Sequence, residues 1–397
     1  MKILQITNFF KPSWESGGPA RVAYEISHAL KARGHDVVVY STDGFKKRLN
    51  ISTDKKLMVD GIETYYFRNL SGRLAKKPCL TPYYAPIIAR RELANFDIIH
   101  IHEISILSII VQYYAKKYKI PYVLQAHGSL PFLSSSKKNF FGRLFFSAFE
   151  KPLVYDATRL IALTQTEAYQ YFEIAGDWTK INILPNGMNT SIPSPTYRKN
   201  VFRKKYGIAE DELVILYMGR INKSKGLDFL IRSFSDISKC ISNSRLVIIG
   251  PDDGYESKLK NLMKKLDLTD RISILGFIPD ETKHLAYADS DVFVTPCFSG
   301  FPITFLEACT YGVPIVTTKK GDELNWIHNN VGLVAEYNID SLTEALIELL
   351  RNDELRKRFG RNGKELIIRQ FNWTNICREL EAIYLDAISQ FSNGVKS

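Results

Sequence analysis

The sequence predicts an α/β protein made of two doubly wound domains that face a central cleft. Short apolar runs alternate with helical patterns in two successive series, as parallel sheets with crossover helices require. A stretch at 192–199 with two prolines separates the series and is predicted to be a linker. The 397 residues are 45% hydrophobic and 24% charged, which is enough apolar material for two full-sized cores.

The first series predicts a domain over 1–190. Its apolar runs are short and separated by helical patterns, as the strands of a parallel sheet are. A helix at 22–33, ended by Gly34, follows the first run. The expected strands are 2–7, 36–41, 62–67, 97–102, 122–126, 159–163 and 181–184.

The second series predicts a domain over 191–372. A βαβ unit closes it, in which two apolar runs flank a short helix from about 305 to 311. A final helix at about 373–389 follows the break at Phe371 and Asn372. The expected strands are 214–218, 245–249, 272–275, 292–295 and 315–318.

Two features of the first series lie where a parallel sheet binds its ligands, at the carboxyl ends of strands. Gly17 and Gly18 precede the helix at 22–33, where backbone amides can approach a phosphate or a sugar, although a flexible turn also explains the pair. His127 directly follows the strand at 122–126 and is either an active-site group or a histidine bonded to a neighbouring loop. His100 and His102 are expected to be structural.

The turn after 214–218 predicts a diphosphate site. Arg220 offers a planar fork of donors and Lys225 a compact positive charge, and both precede a helix N-terminus, which favours anions. Gly250 marks another strand-end turn that can approach the same ligand. The sequence lacks the G-x-x-x-x-G-K-[ST] pattern of a P-loop, so ATP or GTP hydrolysis is not indicated.

The loop and helix after 292–295 are the main candidate for chemistry. Glu307 allows two interpretations: Thr304 and Glu307 fit a capping box, and the Glu307 carboxylate can also accept hydrogen bonds from two neighbouring hydroxyls, as on a ribose. Asp289 and Asp291 resemble a metal-binding D-x-D pair, but Asp291 runs directly into a strand, so the pair is interpreted as structural.

The charge is uneven: residues 1–190 carry a net charge of +10 and the remainder +1. Two stretches, 132–153 and 73–91, interleave basic and aromatic residues, which is typical of a helix lying on an anionic membrane, although aromatic stripes usually face their own core. No nucleic-acid-binding pattern is present. The start of the chain, the absence of a long apolar window and five scattered cysteines predict a cytoplasmic protein, with a peripheral place on the inner face of the membrane as an option.

Taken together, these motifs resemble those of the family 4 glycosyltransferases, which have the GT-B fold of two Rossmann-like domains. The matching residues occur in order along nearly the whole chain: Gly17-Gly18, 97–102, Ala126-His127-Gly128, 184–187, Gly219-Arg220, Lys225-Gly226, Gly300-Phe301, Leu306-Glu307-Ala308 and Gly312-Val313-Pro314. These enzymes transfer a sugar from a nucleotide diphosphate to an acceptor with retained anomeric configuration.

The resemblance implies a role for each matching residue. Arg220 and Lys225 would hold the donor diphosphate, Glu307 the ribose hydroxyls, and His127 would lie near the reacting sugar as the catalytic candidate. The Gly17-Gly18 loop would face the donor, and the segment at about 373–397 would return to the first domain. No metal or other cofactor is expected, because paired basic residues neutralise the leaving diphosphate. The remaining donor-site candidates are Gly250, Ser299, Gly300, Phe301, Pro302, Ile303 and Thr304.

One position departs from the family pattern. Ser299 stands where the first glutamate of the E-x7-E motif is expected, so contacts to the donor sugar must differ or come from the backbone of the loop at 300–304. The predicted function is therefore a retaining glycosyltransferase that uses a UDP- or GDP-linked sugar and a glycan acceptor. The positive charge of the first domain favours a lipid-linked acceptor. The alternatives are a non-catalytic nucleotide-sugar-binding protein, or an epimerase or phosphorylase of the same fold.

Overall fold

The chain folds into two compact units. A computed structural model describes residues 1–14, 17–44, 48–70, 81–130, 140–189, 200–322 and 324–394. The first unit consists of Met1–Asn186 together with Trp373–Ser397, and the second of Gly187–Asn372. The linker predicted at 192–199 lies outside the described residues.

An eight-stranded sheet forms the first unit, in the spatial order β3-β4-β2-β1-β5-β6-β7-β8. All neighbouring strands are parallel except β3 and β4, which form an antiparallel pair at the edge. The strands are β1 Lys2–Ile6, β2 Asp36–Thr42, β3 Lys56–Val59, β4 Ile62–Phe67, β5 Ile98–Ile101, β6 Tyr122–Gln125, β7 Arg159–Ala162 and β8 Ile181–Ile183.

Helices pack on both faces of this sheet and bury a core of aliphatic and aromatic side chains. They are α1 Gly18–Ala32, α2 Ala85–Glu92, α3 Ile106–Tyr118, α4 Phe140–Phe145, α5 Lys151–Tyr155 and α6 Gln165–Ala175, with a π-helical segment, Phe146–Glu150, between α4 and α5. Because successive strands are joined by these helices, the carboxyl ends of β1, β5 and β6 lie side by side.

A six-stranded, fully parallel sheet forms the second unit, in the order β11-β10-β9-β12-β13-β14. Its strands are β9 Leu213–Met218, β10 Ser244–Ile249, β11 Ile272–Ile274, β12 Val292–Thr295, β13 Ile315–Thr318 and β14 Gly332–Ala335. Its helices are α7 Val201–Lys205, α8 Leu227–Cys240, α9 Glu256–Lys265, α10 Asp280–Ala288, α11 Ile303–Tyr311, α12 Ile339–Arg351 and α13 Asp353–Arg369.

The last helix, α14 Trp373–Gly394, belongs to the first unit. Arg33 holds Glu381 through two guanidinium bonds of 2.5 and 2.7 Å, and Arg159 bonds Asp386 at 2.6 Å. Tyr384, on the same helix, is fully buried. The final helix therefore completes the first unit, although it is the last segment of the chain.

The structure corrects several predicted boundaries. The strands β3 and β14 were not predicted, and α1 begins at Gly18 rather than at residue 22. The predicted strands that end at His102, Ala126 and Leu163 stop one residue earlier. Each residue released from a strand then belongs to the loop at the carboxyl edge of the sheet, where ligands bind.

The basic and aromatic stretch predicted at 132–153 is only partly described. Residues 132–139 lie outside the described residues, and so do 73–80 of the second stretch. Of the described part, Phe146 is buried, whereas Leu144, Phe145 and Phe149 keep 58, 40 and 45% of their surface exposed. Among the described residues, no helix is long and apolar enough to cross a membrane.

Candidate active site

The turn after β9 carries Arg220 and Lys225 into the start of α8. A short 3₁₀ helix at Lys223–Lys225 leads to Gly226, whose φ of 68° lies in the left-handed region, and α8 begins at the next residue. The Gly226 N-cap makes no side-chain capping bond. Backbone amides of the first helical turn are therefore left without the usual capping partner, which is the arrangement that binds anions at helix N-termini.

The two basic side chains differ in environment. The Arg220 side chain is 53% exposed, and the Asp253 carboxylate lies 3.5 Å from its Nη1. Burial, aided by the nearby Arg220 charge, lowers the pKa of Lys225 below the usual lysine range. The two neighbouring positive charges repel each other. A negatively charged diphosphate bound between them would relieve this repulsion and stabilise both charged forms.

Gly250 shapes the neighbouring turn. A Cβ on Gly250 would stand 1.9 Å from the carbonyl oxygen of Gly219, so no other residue fits there. The turns after β9 and β10 are also joined by backbone bonds, from Gly219 N to Ile249 O and from Ile221 N to Pro251 O, both 2.9 Å. Gly250 is therefore explained by the close approach of two backbones, and this packing fixes the path of the Arg220 turn.

The loop after β12 contacts the same turn. A Cβ on Gly226 would stand 3.0 Å from Cys297 Sγ and 3.3 Å from Pro296, so the two segments are in close contact. Ser299 is exposed, and Gly300 takes a φ of 67°. The Phe301 side chain is buried against Trp326 and Phe371, with ring centroids 5.8 and 5.5 Å away. The buried Phe301 ring therefore anchors the loop, and a ligand would contact the loop through its backbone rather than through this ring.

The capping-box interpretation of Thr304 and Glu307 is wrong. Helix α11 begins at Ile303 with Pro302 as its N-cap and has no side-chain capping bond, so Glu307 is its fifth residue rather than a member of the first turn. The carboxylate instead accepts hydrogen bonds from Lys283 Nζ at 2.6 Å and from Tyr287 Oη at 2.8 Å. With a side chain 13% exposed, Glu307 is a partly buried, oriented carboxylate.

Lys283 and Tyr287 were missed by the sequence interpretation. They stand four residues apart on α10, and residues at that spacing lie on one face of a helix. The spacing of a lysine and a tyrosine ahead of the βαβ unit was a usable signal. Their partner could not be identified from the sequence, because Glu307 lies 24 residues after Lys283 and 20 residues after Tyr287.

Asp289 and Asp291 have structural roles, as interpreted from the sequence. The Asp289 carboxylate accepts hydrogen bonds from the backbone amides of Asn200 and Phe202, at 2.7 and 2.8 Å. Asp291 Oδ2 accepts from Arg203 Nη2 at 2.9 Å and from a backbone amide. Within the described ranges, no group of three or more His, Cys, Asp or Glu side chains could hold a metal ion.

In the first unit, His127 follows β6 in a left-handed conformation, with a φ of 53°, and Gly128 continues it with a φ of 76°. Helix α6 fixes the backbone on both sides of the histidine: Ala126 N donates to Tyr171 Oη and Gly128 N to Glu167 Oε1, each at 2.7 Å. A left-handed histidine is uncommon and persists only where its surroundings hold it. His127 is thus placed at the carboxyl edge of the sheet by two buried side chains.

The His127 ring lies over His102. The ring centroids are 5.3 Å apart and nearly parallel, and His102 Nδ1 is 3.0 Å from His127 Nε2. Burial lowers the pKa of His127 to about 3. The ring is therefore neutral at physiological pH, and His100 and His102 are fully buried.

Gly17 is the N-cap of α1, and its φ of 106° is a conformation that other residues rarely adopt. A Cβ on Gly17 would meet no atom within 4 Å, so the backbone conformation requires the glycine and packing does not. Helix α1 starts at Gly18 without a side-chain cap. The first backbone amides of α1, like those of α8, thus have no side-chain cap and could donate hydrogen bonds to a ligand.

Two family models match the chain, one after the other. The model described as Glycosyltransferase Family 4 matches residues 16–192, and the model described as Glycosyl transferases group 1 matches residues 198–366. Together they span most of the described chain, and their junction coincides with the predicted linker. The chain belongs to the family 4 glycosyltransferases. It is an enzyme of the GT-B fold.

Curated relatives of this glycosyltransferase are 25–28% identical to it over the aligned residues. N-acetyl-alpha-D-glucosaminyl L-malate synthase of Bacillus anthracis is 25% identical over 390 residues, 95% of this chain and 96% of that protein. The GDP-mannose-dependent alpha-(1-6)-phosphatidylinositol monomannoside mannosyltransferase of Mycobacterium tuberculosis is 27% identical over 238 residues, 57% of this chain and 61% of that protein. An uncharacterised glycosyltransferase of Methanocaldococcus jannaschii is 28% identical, and the match spans 62% of its length.

Among solved structures, the Anabaena protein HepE in complex with UDP-glucose has a TM-score of 0.73 and 18% identity. The match covers 96% of this chain and 100% of that chain. The sucrose-phosphate synthase of Thermosynechococcus elongatus has a TM-score of 0.76 and 20% identity over 98% of this chain and 99% of that chain. At such identities the likeness establishes the fold alone.

Proposed function

We propose that this glycosyltransferase transfers a sugar from a UDP- or GDP-linked donor to a glycan acceptor with retention of anomeric configuration, in the synthesis of a cell-surface polysaccharide or glycoconjugate. The observation that carries the proposal is the β9–α8 turn, where Arg220, Lys225 and an uncapped helix N-terminus occur together. Each of these three elements attracts a diphosphate.

The chemistry follows from charge. Breaking the bond between sugar and diphosphate leaves negative charge on the leaving phosphate, and groups that bind this charge more strongly in the transition state accelerate the reaction. Arg220 and Lys225 supply two fixed positive charges for it. In this proposal they do the work that a bound cation does in other nucleotide-sugar enzymes, so no metal is needed.

Glu307 is assigned to the donor ribose. Its two carboxylate oxygens already accept one hydrogen bond each from Lys283 and Tyr287, and an ionised carboxylate has about four acceptor sites. A carboxylate fixed in this way is a suitable acceptor for two neighbouring hydroxyls of a ribose. The loop that begins at exposed Ser299 contributes backbone amides to the donor sugar, because a serine at that position brings no carboxylate.

The acceptor is proposed to be lipid-linked and held by the first unit. The support is the net charge of +10 over residues 1–190 and the exposed apolar residues Leu144, Phe145 and Phe149, flanked by exposed Arg143 and Lys151. Apolar side chains among basic ones favour the surface of an anionic membrane. The name of the mycobacterial relative, which acts on a phosphatidylinositol mannoside, agrees with an acceptor of this kind.

The proposal is tested by screening UDP- and GDP-linked sugars for thermal stabilisation of the purified protein, since a ligand raises the melting temperature by mass action. Each stabilising donor is then incubated with lipid extract, and the released nucleotide and the glycosylated product are measured. Two results together support the proposal: stabilisation by one donor, and formation of a product whose anomeric configuration is the same as that of the donor. Stabilisation without turnover would favour a nucleotide-sugar-binding role at this site.

A further inference from the structure

A chain of buried hydrogen bonds runs from the last helix to His127. Tyr384 Oη, on α14, lies 2.7 Å from His100 Nδ1 and 3.5 Å from Gln5 Nε2. Gln5 Oε1 lies 2.6 Å from His102 Nε2, and His102 Nδ1 lies 3.0 Å from His127 Nε2. Gln5 lies on β1 and His100 on β5, while His102 and His127 follow the carboxyl ends of β5 and β6. The chain therefore connects three neighbouring strands to the ring at their carboxyl edge.

Burial favours the uncharged form of all three histidines in this chain. Burial lowers the pKa of His127 and of His100 to about 3, and burial also lowers the pKa of His102 well below its ordinary value. The closeness of the rings acts in the same direction, since a charge on one disfavours a charge on the next. Each ring therefore carries one proton, on one of its two nitrogens.

Bond by bond, the positions of these protons follow from Gln5. Its Oε1 can only accept, so His102 Nε2 must carry the proton of His102. His102 Nδ1 is then an acceptor, and the bond of 3.0 Å requires a proton on His127 Nε2. Since neutral His127 has only this one proton, its Nδ1 holds a lone pair. Within the described ranges no hydrogen bond reaches that nitrogen.

The Tyr384 bonds agree with this arrangement. Gln5 Nε2 donates to Tyr384 Oη, which leaves the tyrosine proton for His100 Nδ1. The rotated Gln5 amide would reverse every bond and put a proton on His127 Nδ1. The two arrangements thus predict opposite chemistry at the ring edge of His127.

We propose that Gln5 and His102 are positioning residues that hold His127 as the Nε2–H tautomer, so that its Nδ1 accepts a hydrogen bond from a substrate hydroxyl. The backbone bonds of Ala126 and Gly128 to α6 fix the direction of this lone pair. His127 then recognises a hydroxyl donor, such as one on a sugar, and gives no hydrogen bond to a phosphate oxygen. Only the identity of the hydroxyl as a sugar hydroxyl rests on the proposed function.

The tautomer is measured directly by nitrogen NMR of the full-length protein labelled at histidine, without substrate. The His127 signals are assigned by their loss in His127→Gln. The expected result is a protonated Nε2 and an unprotonated Nδ1 on both His127 and His102. A protonated Nδ1 on His127 would overturn the proposal. The tautomer itself is read from the native chain, and the variant serves only to assign the His127 signals.

The role of Gln5 is tested with Gln5→Met, which keeps a similar shape and removes the carbonyl. His102 then loses the partner that selects its tautomer, and we expect His127 to show a mixture of both tautomers. The matched control is Gln112→Met, which removes another buried amide of the first unit, one that bonds Asp156. A His127 signal that remains fully Nε2–H in Gln5→Met would refute the positioning role.

Activity provides the second readout. Gln5→Met is expected to lower kcat/KM for sugar transfer about tenfold, the equivalent of one hydrogen bond of roughly 1.4 kcal/mol. Affinity for the nucleoside diphosphate alone should change less than about twofold, because that ligand lacks the sugar hydroxyl. An unchanged kcat/KM would contradict the inference. If the native protein shows the Nε2–H tautomer but does not bind a nucleoside diphosphate, the result would count against the proposed function and not against the positioning role.

Discussion

Lys283 Nζ lies 2.6 Å from Glu307 Oε1, and the two side chains are only 17 and 13% exposed. The pair joins α10 to α11, and Tyr287 holds the other carboxylate oxygen at 2.8 Å. Because the carboxylate is charged and fixed from two sides, it keeps one orientation before any ligand arrives. This preorganisation lowers the cost of ordering it on binding.

The Lys283–Glu307 pair is expected to show strong coupling in folding stability. Removing either partner alone leaves a partly buried charge without its counter-ion, whereas removing both does not. Lys283→Met and Glu307→Gln should each destabilise the protein, with an interaction energy of about 1–3 kcal/mol between them. Chemical denaturation of the two single variants and the double variant measures this energy.

The matched control is the Lys260–Glu256 pair on α9, whose lysine side chain is 56% exposed. An exposed pair at this spacing is worth about 0.3–0.5 kcal/mol, so Lys260→Met with Glu256→Gln should show little coupling. Equal coupling in the two pairs would mean that burial does not strengthen the Lys283–Glu307 bond.

The proposed hydrogen bonds between Glu307 and the ribose hydroxyls can be tested by nucleotide affinity. Glu307→Gln is expected to weaken UDP or GDP binding about 10- to 100-fold, because hydrogen bonds to a charged acceptor are worth about 1.5–3 kcal/mol. The same loss should occur when the native protein binds the 2′,3′-dideoxy nucleotide, and the variant should not distinguish the two nucleotides. A variant that still prefers the ordinary ribose by the native factor would exclude Glu307 as its partner.

Glu381 should make the docking of α14 sensitive to acid. The Arg33 hydrogen bond, with help from His35, holds the pKa of Glu381 below its ordinary value of 4.5. A depressed carboxyl pKa contributes stability above the ordinary pKa, and that contribution is lost as pH falls through the folded-state pKa. Glu381→Gln should therefore cost about 1–2 kcal/mol near neutral pH and progressively less below about pH 4.5.

Denaturant unfolding of the native protein and Glu381→Gln across this pH range measures the effect. Exposed Glu379, on the same helix, gives the matched variant Glu379→Gln, which should differ little from the native protein at any pH. A stability difference for Glu381→Gln that does not shrink in acid would rule out the Arg33–Glu381 bond as its origin.

Exposed apolar residues of the first unit should mediate binding to anionic membranes. Replacing Phe145 and Phe149 by serine, together with Arg143→Glu, removes both the apolar and the electrostatic attraction. Flotation with vesicles rich in anionic phospholipid should show binding of the native protein and strong loss in this variant. The native protein should also detach at high salt, since basic residues contribute.

Helix α13 offers a matched control in the second unit. Ile368 is 65% exposed and Arg361 is exposed on the same helix, so Ile368→Ser with Arg361→Glu changes the same kinds of side chain. This control should float like the native protein. If both variants bind alike, the proposed membrane surface is not where it has been assigned.

The alternation of apolar runs predicted most of the fold, and it failed where strands are not apolar runs. Strand β3 is an edge strand in which Met58 is 67% exposed and Lys56 is exposed, so its pattern is that of a surface segment. Strand β14 has four residues and begins at Gly332, whose lack of a side chain lets it approach the Ile315 carbonyl. Neither strand has the length or composition that identifies a strand in isolation.

At the site, the sequence identified groups that lie next to a strand end but not their partners. Arg220, Lys225 and His127 were found because a turn or a histidine at the end of an apolar run has local meaning. The sequence did not identify Lys283 or the hydrogen-bond chain from Tyr384 to His127, because the residues that bond each other are distant in sequence. His100 and Tyr384, for example, are 284 residues apart. The capping box failed for a local reason, since α11 begins before Thr304.

The diphosphate site at Arg220 and Lys225 is tested most directly by calorimetric titration of UDP and GDP into the native protein and into Arg220→Ala with Lys225→Ala. Exposed Lys223, in the same turn, provides the control Lys223→Ala. We predict that one of the two nucleotides binds the native protein and the Lys223 variant alike, and that the double variant loses at least about 100-fold in affinity, as the loss of two charge-assisted contacts implies. Unchanged affinity in the double variant would contradict the assignment of the donor site.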